Sequence, residues 1–177
     1  MLFCVVSWIA FDEPYSISII ATMDNNQLLE TWEIHNRINL FLLEAITPEH
    51  LKDISASKGR NAGEQFAHLH NVRLMWLQAA APDLFKKQKK IEKESATKKD
   101  LLRRSLTASA DAIQALLRKS LESDSRIKGF KPHAAAFLGY LIAHESHHRG
   151  QIILTLKQND HPIDKKVQYG IWEWGVR

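Results

Sequence analysis

Apolar residues recur at three- and four-residue intervals along most of the chain, the period of a helix with one buried face. Between Asp24 and Ile46 they are Leu28, Trp32, Ile38, Leu42, Ala45 and Ile46. Thr47-Pro48 ends that run, because a residue before proline avoids helical backbone angles. After the polar stretch ISASKGRN a second helix is predicted from Asn61, with Glu64 placed to complete a capping box. It carries Phe66, Leu69, Val72, Met75, Trp76 and Ala79 and closes before Pro82. A third is expected from near Thr97, burying Leu102, Leu106, Ile113, Leu117 and Leu121. Pro132 opens a fourth, which runs through Leu141, His144, His148 and Ile152 to the neighbourhood of Lys157.

No segment alternates with period two long enough to make a strand, so the predicted class is all-α. Helices with one apolar stripe each close most simply as a four-helix bundle. The connection PDLFKKQKKIEKESAT is longer than a tight antiparallel turn needs and fits a crossover. Neither an internal repeat nor a second domain is visible. Residues 1–22 are apolar but lack a basic start and are broken by Asp12, Glu13 and Pro14, the reverse of a secretory signal. Met23, followed by the capping residues Asp24 and Asn25, reads as the natural start. Residues 1–22 are then an upstream extension and 23–177 a single domain.

Composition removes several classes of function. A net charge of +4, from 24 basic and 20 acidic residues, does not point to nucleic acid. The run Lys86, Lys87, Lys89, Lys90 and Lys93 has no interleaved aromatic residues and reads as a solvated loop. Cys4 is the single cysteine, which excludes an intrachain disulfide and fits the cytoplasm. No apolar stretch is long enough for a membrane span.

The candidate chemistry lies in AHESHHRGQ, residues 143–151, where three histidines interrupt an apolar helix. A helix turns about 100° per residue, which places His148 about 40° from His144, in the direction of Leu141. His147 falls about 60° to the other side. His144 and His148 therefore share the inward stripe, and imidazoles one turn apart can point at a common atom. The second helix offers His68 and His70. His68 shares its face with Val72, Met75 and Ala79 and is expected to meet the fourth helix across the core. His70 points elsewhere, toward Asn71 and Arg73. Three neutral imidazoles can hold a zinc ion and leave a fourth position open, and nickel or ferrous iron accepts the same donors. His35 lies on the Trp32–Leu42 face and reads as wall or core. His50, His133 and His161 stand near element ends and read as structural or solvated.

FAHLHNVRLMW, the later HESHHRGQ and the closing YGIWEWG resemble the DinB/YfiT-like family of metalloenzymes, over nearly everything from Met23 to Gly175. The resemblance implies a four-helix bundle with up-down-down-up topology and one divalent ion per chain, commonly zinc or nickel. Carried over residue by residue, its three ligands are His68, His144 and His148. It further implies chemistry on a small molecule, in the manner of S-transferases that use low-molecular-weight thiols. A metal-dependent hydrolase and a non-catalytic metal- or ligand-binding bundle are the alternatives. Some relatives carry an acidic residue where this chain has Asn71, so no catalytic residue beyond the ligands is assigned. Apolar surface that includes Trp172 and Trp174 could support a homodimer.

Overall fold

The computed structural model describes residues 24–177; the extension expected over 1–22 and the start at Met23 lie outside them. Within that range the regular elements are helices: α1 (Asn25–Glu44), α2 (Ala62–Ala80), α3 (Pro82–Phe85), α4 (Lys99–Glu122), α5 (Ala134–Gln158) and α6 (Lys165–Gly170). Short 3-10 turns occupy Glu49–Lys52, Lys93–Ser95 and Trp174–Val176. The fold is all-helical, as the periodicity predicts.

Side chains in the sequence set most of the helix starts. The Asp24 carboxylate accepts the Asn26 N–H at 2.9 Å and opens α1. The capping box forms: Asn61 accepts the Glu64 N–H at 2.7 Å, and Glu64 accepts the Asn61 N–H at 2.9 Å. α5 starts two residues after Pro132, behind His133, whose Nδ1 accepts the Ala136 N–H at 3.2 Å. α4 starts at Lys99 rather than near Thr97, and no side chain caps it. α1 stops at Glu44, short of Ile46.

The four long helices enclose the core, with α1 and α2 each packed against both α4 and α5. The core falls into two apolar clusters. One gathers Leu42, Leu43, Phe66, Leu69, Leu102, Leu106, Ile152 and Leu156. The other gathers Trp32, Leu74, Leu77, Ile113, Leu117, Phe137 and Leu141. Between them in sequence on each helix lie polar residues that are themselves buried: His35, Asn36 and Asn39 on α1, Arg73 on α2, Ser109 on α4, Glu145 and Arg149 on α5.

These form one hydrogen-bonded layer around Glu145. Arg73 donates to it through Nε and Nη2, both at 2.7 Å. Asn39 donates at 2.7 Å. Arg149 donates to Asn39 Oδ1 at 2.7 Å and approaches His35 Nδ1 at 3.3 Å. That leaves His35 Nε2 to carry the proton and donate to Glu145 at 2.9 Å. The Glu145 carboxyl is held well below the usual carboxylate range: the adjoining Arg73 charge and the bonds from Arg73 and His35 outweigh the effect of burial. Burial pushes the Arg149 guanidinium down to about 10.

Candidate metal centre

On α5 the histidines stand beside the buried layer rather than in it. His148 is buried, His144 half-buried and His147 exposed. The Nε2 atoms of His144 and His148 are 3.2 Å apart. On the other ring edge, His148 Nδ1 is 2.7 Å from Gln65 Oε1 on α2. A carbonyl oxygen can only accept, so His148 donates from Nδ1 and Nε2 keeps its lone pair. His68, one helical turn along α2 from Glu64, brings its ring centroid to 4.6 Å from His148 and 5.4 Å from His144. One ring nitrogen from each of the three lies within 4.8 Å of the others.

This donor set fits a divalent ion of the kind the family resemblance implies. Two imidazole nitrogens at about 2.0–2.1 Å from a tetrahedral zinc stand about 3.3–3.4 Å apart, close to the His144–His148 separation. Burial is the largest cause pushing His68 and His148 down to about 4, with Arg60 and the neighbouring imidazoles adding to it. Burial lowers His144 as well, against the raising effect of Glu145. All three rings are therefore neutral near pH 7, the state in which imidazole binds metal.

A cleft of about 660 Å³ opens beside His68, between α2 and residues 90–96. Three features of α2 hold that far wall. Asn71 donates to the Ile91 carbonyl at 2.9 Å and accepts the Ile91 N–H at 3.0 Å, so its amide is fully engaged. His70 Nε2 donates to the Lys89 carbonyl at 2.9 Å. At Gly63 a Cβ would run into the Ala96 carbonyl oxygen, so only glycine lets the wall lie this close.

The sequence-predicted trio is thus brought together, but at a rim of the α2–α5 interface and not across the core. The Val72, Met75 and Ala79 face is the outer one: Met75 is 53% exposed. The inner face of α2 holds His70 and Arg73, whereas the sequence reading took the His68 face as the inward one and set His70 elsewhere, toward Asn71 and Arg73. His147 keeps to the surface, against Gln151 at 2.8 Å. His35 belongs to the core layer. His133 caps α5, and His161 meets Asp53 at 2.8 Å while stacking on His50. The lysines of the 86–93 run are solvent-exposed. Trp172, a candidate for a second-copy contact, is 77% exposed. Glu145 was not identified as the centre of the core, although the helical angle contains the signal: it lies about 20° from Ile152, in the middle of the α5 stripe.

Comparison with known proteins bears on this geometry. The sequence profile of the DinB family matches residues 22–162, a span that includes all three clustered histidines. The chain belongs to the DinB family. No curated protein and no solved structure matches it. The DinB-family span includes every long helix described here, and among the described residues none is long and apolar enough to cross a membrane.

Proposed function

We propose that this DinB-family chain binds one divalent ion, zinc or nickel, through His68, His144 and His148, and that it is a metal-dependent enzyme of the thiol S-transferase type. The topology that goes with this reading is an up-down-down-up four-helix bundle. The observation that carries it is the convergence of three neutral imidazoles, one of which, His68, lines a solvent-reached cleft, with the His148 tautomer set by Gln65. When bound, such an ion converts a thiol into its nucleophilic thiolate near neutral pH.

The chain's own residues favour thiol activation over chemistry that needs a separate general base. Glu64 is engaged by the α2 cap and by Lys93 at 3.5 Å. Asn71 is clamped to Ile91, and Glu145 is sealed in the core by Arg73. No free carboxylate is left facing the triad among these residues. A hydrolase, or a binding protein without catalysis, would use the same donors, and a panel of thiols and electrophiles separates the three.

Metal analysis of protein purified without chelator or nickel resin is the direct test. About one divalent ion per chain is expected, following the single three-imidazole cluster. Protein that is metal-free and also refuses added zinc and nickel would overturn the proposal.

A further inference from the structure

The cleft beside His68 is lined by five charged side chains: Arg60, Glu64, Lys90, Glu92 and Lys93. Four of them cancel in pairs. Lys93 sits 3.5 Å from Glu64, and Lys90 sits 3.1 Å from Glu92. Arg60 is left over, exposed, with no carboxylate of the described residues in salt-bridge range. It also borders a smaller cavity lined by Gln65, the partner of His148, and by Gln151.

The backbone beneath Arg60 is fixed. It immediately precedes the Asn61 cap, and the adjoining loop is closed by the Ile54–Asn61 bridge and by Gln158, which accepts the Ala56 N–H at 3.0 Å. Arg60 and His68 line the same cleft, so the guanidinium charge borders the space in front of the triad. The same charge disfavours a metal cation held by those rings. An unpaired guanidinium at this place therefore works against metal binding unless an anion completes the arrangement.

We propose that Arg60 is the specificity residue of this site: it receives an anionic oxygen group, carboxylate or phosphate, on a small thiol whose sulfur reaches the triad-bound metal. The guanidinium offers a planar fork suited to either oxyanion. Gly59, Arg60 and His68 line one cleft, so a small ligand seated there can face both the guanidinium and the triad. This inference rests on the metal-binding reading above.

The test uses the full chain loaded with cobalt(II), whose thiolate charge-transfer absorbance reports sulfur on the metal. Three probes are titrated: 3-mercaptopropionate, 2-mercaptoethyl phosphate and the neutral 2-mercaptoethanol. At least one anionic probe should bind about five- to tenfold tighter than the neutral one, the scale of one partly screened guanidinium–oxyanion pair. The preferred anion identifies the group recognised. Arg60→Gln should abolish the preference while cobalt still binds at the same stoichiometry, and Arg60→Lys should restore part of it. Equal affinity for charged and neutral thiols, or a preference that survives Arg60→Gln, overturns the assignment of Arg60 alone. Cobalt bound with no thiolate band overturns the thiol chemistry with it, and failure to bind cobalt overturns the metal site itself.

Discussion

His144 and Glu145 are neighbours on one helix and live in opposite circumstances. Glu145 is 1% exposed and accepts four hydrogen bonds, from Arg73 twice, His35 and Asn39. His144 lies half-open on the rim, with a buried Nδ1 that has no partner and an Nε2 facing another imidazole. A saturated buried charge is at the end of its chemistry, and it specifies how helices seat against one another. Neutral imidazoles gathered within reach of one common point are where a ligand is still to come.

The largest expected effect breaks the saturated side. Glu145→Gln leaves Arg73 buried without its counter-charge and should destabilise the fold by about 3–5 kcal/mol, read from urea unfolding. Joining it with Arg73→Met should recover much of that loss, because the stranded charge is removed with its partner. A pair of independent, additive losses would show that the two do not act as a unit.

On the rim the order is reversed: function should fall where stability does not. Ala at His68, His144 or His148 should weaken zinc binding by more than about 100-fold, beyond what loss of an outer partner does. Gln65→Leu, which frees the His148 tautomer, should weaken it by about 10- to 100-fold. Isothermal titration with zinc checks both. Wild-type affinity in His148→Ala would remove this residue from the site.

The two regions should also separate by pH. His68 and His148 titrate at about 4 in the fold, against 6.5 for the ordinary group. Between those values the unfolded chain takes up the protons, so their contribution is full above pH 6.5 and declines as pH falls toward 4. Glu145 also has a depressed folded value, so its contribution is present above the ordinary 4.5 and is lost as pH falls below that. Thermal melts of metal-free protein should therefore lose stability in two stages, through the histidine window from pH 6.5 toward 4 and then, below 4.5, through Glu145. His68→Gln with His148→Gln should flatten only the upper part, where buried His35 and His70 still contribute. An unchanged slope would contradict the neutral state assigned to the rim. The smallest effect is His147→Ala, expected within about 0.5 kcal/mol of the parent in stability and unaltered in zinc stoichiometry.

Much of this was legible in the sequence because local rules act locally. The Asn61–Glu64 box fixes where α2 starts, and the 40° between His144 and His148 fixes that they converge. Depth was not legible. Periodicity says that His68, Val72 and Met75 share a face, but which face is inward depends on partners. Arg73 is an inward residue only because Glu145 and Asn36 stand across from it, on α5 and α1. A single helix read alone assigns arginine to water, and the ion pair that overrides this is a property of three helices together. The cleft wall was illegible for the same reason: nothing in the stretch around Lys89 and Ile91 announces that His70 and Asn71 will hold its backbone.

The alternation on α5 also constrains the length of the chain. His144 and His148 serve the rim while Glu145 and Arg149, each one step further on, serve the core. Inserting or deleting one residue between Tyr140 and Thr155 would rotate everything beyond it by about 100°. The later imidazole would leave the histidine cluster and the later guanidinium would leave the core in the same event. Gaps should therefore be absent from that segment in any working variant.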